Sequence, residues 1–185
     1  MTIDEAALQR LLDKEAIREA SLKYTRGIDR HDDEILRQAF HPDARDDHGD
    51  YIGGPEGLIQ YTKSMHSDNW KVHHHFVSNM TIELDGDVAH CETYFFVTLA
   101  RHEGGTDIGI GRYLDRFEKR AGKWAVADRI CLVEWNALIP EQEGIFDSDS
   151  FVSGTWDKSD PSYMRPLKLD RPDRISAEYA HLKQI

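Results

Sequence analysis

Apolar side chains at positions 8, 11, 12, 17, 20, 24 and 28 recur with helical spacing and predict a first helix over residues 4 to 29. Thr2 with Glu5 three residues on reads as its capping box. Asp32 is the expected N-cap of a short second helix carrying Ile35, Leu36 and Phe40, which His41-Pro42 ends. A short strand near 44 to 48 should follow. Gly53-Gly54-Pro55 then opens a third helix through Leu58, Ile59, Tyr61 and Met65. From Val72 the pattern changes to runs rich in β-branched and aromatic residues at 72 to 84, 88 to 101, 108 to 119 and 124 to 135. Asp85-Gly86-Asp87, Glu103-Gly104-Gly105 and Ala121-Gly122-Lys123 separate them as hairpin turns. The expected architecture is α+β: three N-terminal helices, then four antiparallel strands.

Run 88 to 101 carries Tyr94 and Phe96 on one face and Phe95, Val97 and Leu99 on the other, so neither side suits water. One sheet face should cover the helices and the other a neighbouring subunit. After Trp135 the chain turns irregular yet keeps Phe146, Phe151, Trp156 and Tyr163 among its prolines, which is too aromatic for a free tail. The division expected is a domain at 1–139 and an extension at 140–185 that wraps the domain or a neighbour, with a short helix over 174 to 182.

Composition narrows the partners. Lys and Arg total 23 against 34 Asp and Glu, a formal charge of -11, which disfavours nucleic acid and anionic membrane surfaces. Cys91 and Cys131 each sit inside an apolar run, as buried thiols do in a reducing compartment, so the cytoplasm is the expected location. No segment has the length of a membrane span, and the N-terminus lacks an export signal.

Three sites could carry chemistry. Asp29 arrives at the inward end of the first helix, where an acid needs a partner, five residues after Tyr24. In Val72-His73-His74-His75, strand alternation sends His73 and His75 to one face and His74 to the other. The pair could hold a metal if His48, His66 or Asp29 converged on it, could line a sheet rim, or could supply His75 as a general base. The base is the favoured reading, and no metal is expected. Arg129 shares its expected face with Ala127, Cys131, Val133 and Trp135, where a guanidinium is costly unless paired. Asp29, or an anionic or carbonyl-bearing ligand, would suit it. Phe40, His48, Trp70, His73, Tyr94, Phe96, Ile110 and Trp135 are the expected substrate-binding positions. No phosphate loop or nucleophile elbow is present, and no cofactor is expected.

A family resemblance rests on motifs in order along residues 8 to 136. They are Leu12-x4-Ile17, Tyr24-x4-Asp29-Arg30-His31-Asp32, Phe40-His41-Pro42-Asp43-Ala44, Gly53-Gly54-Pro55-Glu56-Gly57 and His74-His75-Phe76-x2-Asn79. Leu84-Asp85-Gly86-Asp87-Val88-Ala89, Gly111-Arg112-Tyr113-x-Asp115-Arg116 and Gly122-x-Trp124-x4-Arg129 follow. With these the chain resembles the SnoaL-like branch of the nuclear transport factor 2 superfamily. Within it, the chain is most similar in motif to the scytalone dehydratase, bile acid dehydratase and lindane dehydrochlorinase group. The resemblance implies a cone of helices held in a curved, mainly antiparallel sheet.

It further implies cofactor-independent elimination, or related proton abstraction such as carbon-carbon cleavage, on a small hydrophobic aromatic or polycyclic hydroxylated compound. His75 would be the base paired with Asp29, with Tyr24 or Arg129 on the substrate oxygen. A homotrimer is implied, with a dimer next. The alternative is a non-catalytic ligand-binding module, or a scaffold like the small subunit of a ring-hydroxylating dioxygenase.

Overall fold

The computed structural model describes residues 4–141 and 151–175. Helix α1 spans Glu5–Asp29 and starts at Asp4, whose carboxylate accepts from the N–H groups of Ala6 and Ala7 at 3.0 and 3.2 Å. That acid fills the role expected of Thr2, which lies outside the described residues. Burial along α1 begins at Ile17 and continues through Ala20, Tyr24 and Ile28, while Leu8, Leu11 and Leu12 stay exposed despite their spacing. Helix α2 spans Asp33–Ala39, capped by Asp32, which accepts from the Ile35 N–H at 3.3 Å. It folds back tightly: a Cβ on Gly27 would lie 2.7 Å from the Leu36 backbone nitrogen, so only glycine allows the approach.

The chain leaves α2 directly into strand β1, Phe40–Asp47, four residues earlier than expected, because Phe40 already has extended torsions and Pro42 cannot continue a helix. The short strand β2, Ile52–Gly53, was not expected; it leads into helix α3, Pro55–Asn69. Strands β3 (Trp70–Asp85), β4 (Val88–Arg101), β5 (Thr106–Arg120) and β6 (Lys123–Ile139) complete an open sheet ordered β2-β1-β6-β5-β4-β3. Every pairing is antiparallel except β1 with β6, so the sheet is mixed and the fold is α+β. The helices pack on its inner face, where Phe95, Val97, Tyr113 and Phe117 meet Ile17, Tyr24, Ile28, Phe40, Leu58 and Ile59. Each such side chain contributes about 1.5–3 kcal/mol by leaving water.

Two one-residue bulges re-register β6 against β5. The first falls at Ala127, between the Phe117/Val126 and Arg116/Asp128 pairs, and the second at Glu134, between Gly111/Val133 and Ile110/Trp135. The second turns Trp135 to the outer face, away from Arg129. There Phe76, Phe96, Ile110 and Trp135 stand side by side on four strands, with Trp135 53% exposed.

Residues 155 to 163 fold back on the end of α1. Arg30 donates to the Thr155 carbonyl and to Asp160, each at 3.2 Å, Arg26 donates to the Ser162 hydroxyl at 3.2 Å, and the Tyr163 hydroxyl donates to Asp32 at 2.6 Å. The helix expected over 174 to 182 falls mostly outside the described residues; 174 and 175 are not helical. Both cysteines are free thiols. No helix among the described residues is long and apolar enough to cross a membrane.

Candidate active site

The last turn of α1 and the first half of β3 bring Asp29 and His75 together. His75 donates its backbone N–H to the Asp29 carboxylate, at 2.9 and 3.2 Å to the two oxygens, and its ring Nδ1 lies 2.6 Å from Oδ1. One acid therefore holds both the strand and the imidazole. Because a carboxylate only accepts, Nδ1 carries the proton and the basic lone pair sits on Nε2. The two side chains are 11% and 13% exposed, enclosed but not sealed. Beside Asp29 runs an open groove of about 460 Å³ lined by Leu22, Thr25, Arg26, Arg30 and His74, with Asp160 and Ser162 contributed by the returning segment.

His73, two residues earlier on the same face, is fully buried and has a different partner: its Nε2–H donates to the Ile28 carbonyl at 3.1 Å. Its ring centroid lies 4.0 Å from that of His66 on α3 and 5.5 Å from that of His31 at the α1–α2 link. Trp156 of the returning segment stacks on His31 at 4.3 Å and lies 4.8 Å from His73. Burial, reinforced by the neighbouring imidazoles, pushes His66 down to about 2. Burial also pushes His73 down to about 4, although the Ile28 carbonyl works the other way. Burial likewise lowers His31. His66 and His73 are therefore neutral at physiological pH, and His31 is shifted in the same direction.

Tyr24 and Arg129 belong to a second polar cluster. The Tyr24 hydroxyl is 3.0 Å from His48 Nε2, and His48 in turn binds the buried Asp46 through Nδ1. Arg129 pairs with Asp115, not with Asp29: Nε and Nη2 donate to its two oxygens at 2.7 and 2.8 Å, and both side chains are 0% exposed. The guanidinium lies 4.1 Å from the Tyr24 ring centroid and 4.3 Å from that of Tyr113. Phe40 lies beneath the same group. Burial opposes charge on His48, but Tyr24 and Asp46 outweigh it and hold the imidazolium well above its ordinary value.

The other expected binding positions divide. Trp70 packs edge-on against His66 and donates to Asp107 at 2.9 Å, next to the histidine cluster. Tyr94, Phe96, Ile110 and Trp135 lie on the outer sheet face, opposite His75, because Phe95 and Val97 take the inner positions of β4. Both faces of that strand are apolar, so alternation alone could not assign them. His31 was not among the expected site residues, nor was Trp156. The former follows directly on the Asp29-Arg30 pair, which was the available signal.

Residues 9–130 match the model of the SnoaL-like domain, so the chain belongs to the SnoaL-like family within the nuclear transport factor 2-like cone folds. A type 2 hexachlorocyclohexane dehydrochlorinase superposes with a TM-score of 0.70 at 18% identity, covering 77% of this chain and 99% of its own. A candidate scytalone dehydratase from Novosphingobium aromaticivorans gives 0.64 at 17% identity, covering 75% and 97%. A protein of unknown function from Mycobacterium tuberculosis gives 0.62 at 26% identity, covering 69% and 75%. No protein of curated function matches the sequence.

Proposed function

We propose that the protein is a cofactor-independent lyase, acting by elimination or a related proton abstraction on a small hydrophobic, hydroxylated aromatic or polycyclic compound. The observation that carries this reading is the Asp29–His75 pair, a base whose tautomer is set by a carboxylate and whose second nitrogen is left with its lone pair. His75 Nε2 takes the proton and the C–H electron pair becomes the new double bond. A halide departs with its own pair, and a hydroxyl departs as water once the imidazolium returns the proton to its oxygen. In carbon-carbon cleavage the proton comes instead from a hydroxymethyl O–H, while the C–C pair stays on the substrate and takes that proton back as formaldehyde leaves. Asp29 stabilises the imidazolium that results. Elimination is also the chemistry in the names of the dehydrochlorinase and the dehydratase that share the fold. With its guanidinium committed to Asp115, Arg129 is given no substrate-binding role.

The test is a mass-spectrometric screen of the purified protein against aromatic and steroid-like alcohols and their halogenated analogues. Loss of water, formaldehyde or halide is the expected result, abolished in His75→Ala with the fold intact by circular dichroism. Turnover that survives His75→Ala would sink the proposal.

We also infer a homo-oligomer, trimer before dimer, formed through the outer face. The ladder of Phe76, Phe96, Ile110 and Trp135 supports it, since a monomer leaves these side chains in water. Light scattering should show the oligomer, and Trp135→Ser with Phe96→Ser should dissociate it. A wild-type chain that is monomeric at micromolar concentration removes this inference.

A further inference from the structure

Three imidazoles on three different elements converge next to the dyad: His31 at the α1–α2 link, His66 in the last turn of α3 and His73 on β3. One ring nitrogen from each lies within 4.8 Å of the other two. His31 Nε2, His66 Nδ1 and His73 Nδ1 are buried and have no hydrogen-bond partner among the described residues. Three buried, unpartnered nitrogens on neighbouring rings are costly unless something joins them, because each is cut off from bulk water. For His73 the state of the free atom is settled by its neighbour. The ring N–H is used on the Ile28 carbonyl at 3.1 Å, so Nδ1 presents a lone pair to the cluster. A carbonyl on the far nitrogen is the outer partner usual for a metal-bound histidine.

The backbone supports the same reading. His31 has a φ of 48°, the left-handed region where a helix normally ends in glycine. A histidine held there places its ring among the others at a conformational cost. Around the rings lies an aromatic shell, with Trp156 over His31 and His73 and Trp70 against His66. In the tautomers that present all three free nitrogens as lone pairs, a bridging water has only two protons for them, whereas a cation satisfies all three.

We propose that His31, His66 and His73 form a binding site for one divalent transition-metal ion of the zinc, cobalt or nickel class. Neutral imidazole nitrogens are the ligands such ions prefer. Zinc bonds of about 2.0–2.1 Å set ligand nitrogens ~3.3 Å apart, so the widest gap closes by at most ~1.5 Å, within the reach of ring rotations. The ion ties α3 to the end of α1 and to β3, beneath the segment that carries Trp156. The site adjoins the dyad, with His73 Nε2 3.8 Å from Asp29 Oδ1, but the ion takes no part in the elimination proposed for His75.

The test uses the full-length chain without an affinity tag, stripped with a chelator and titrated with Co²⁺ and then Zn²⁺. One equivalent of Co²⁺ should develop visible ligand-field absorption, Zn²⁺ should abolish it, and the thermal midpoint should rise with Zn²⁺. His73→Ala should weaken binding by more than the roughly 10- to 100-fold that loss of an outer partner costs. Should that variant fail to fold, His31→Gly decides the matter. It removes a ligand while relieving the left-handed backbone, and it should lose the cobalt spectrum as well. His90→Ala, on the exposed face of β4, should bind like the wild type. No one-equivalent binding in the wild type, or unchanged binding in His31→Gly, overturns the site and leaves a bridging water as its occupant. The readouts are optical and thermal, so neither result bears on His75, and a failed turnover screen does not bear on the metal.

Discussion

Asp29–His75 and Asp115–Arg129 are both acid–base pairs on the inner side of the sheet, each with two short contacts, yet they differ in what surrounds them. The first has side chains 11% and 13% exposed, and a groove reaches its acid, Asp29. The second is closed to solvent on both partners, with aromatic rings against the guanidinium. A buried pair with no access can only hold structure, since moving its proton or charge leaves a bare ion in a low dielectric. A pair at the edge of the interior can change charge state while its partner compensates. Exposure, more than residue type, separates the catalytic candidate from the brace.

The largest effect that could break this contrast is on rate. Asp29→Asn should lower turnover of a substrate from the screen by up to about four orders of magnitude, the loss known for an amide in place of a triad carboxylate. Steady-state kinetics, with circular dichroism to check the fold, would show it. Asp115→Ala should act on stability instead, by about 3–5 kcal/mol in urea denaturation, because Arg129 is left charged, buried and alone. Replacing both partners with Leu and Met should recover most of that loss, and a rate defect in the double variant would contradict a purely structural role.

Smaller is Gly27→Ala, which sets a methyl against the Leu36 backbone and should cost about 1–3 kcal/mol in the same assay. The smallest effect concerns His48, held above its ordinary value by Tyr24 and Asp46 against the opposing effect of burial. A raised folded value means the contribution is complete below an unfolded value of about 6.5 and is lost as pH rises through the folded one. The urea midpoint should therefore decline toward alkaline pH, and Asp46→Asn should flatten that decline.

The helices and the four long strands were legible in the sequence, because helical spacing and strand alternation act locally. The pairing of Asp29 with His75 came from the family resemblance, since periodicity alone left Asp29 an equally fitting partner for Arg129. Arg129 was not legible. Counting outward from the Ala121-Gly122 turn pairs Asp115 with Asp128; the bulge at Ala127 shifts the register by one and delivers Arg129 instead. Nothing in the local pattern announces a bulge, since the extra residue shows only in the pairing and in the faces of the residues beyond it. The same limit misled the reading of Trp135 after the second bulge. His31 escaped notice for another reason, as its left-handed backbone follows from the chain reversal into α2 and not from any periodicity.

The returning segment has a consequence for the order in which the molecule is made. Arg30 and Asp32 find their partners at Thr155, Asp160 and Tyr163, separations of 125 to 131 residues. A ribosome adds about 5–20 residues each second, so the end of α1 waits many seconds for the chain that covers it. During that interval the cone can form from local hairpins and helices while the histidine cluster stands without Trp156 above it. The end of α1 is thus covered only after the sheet beside it has been synthesised through β6.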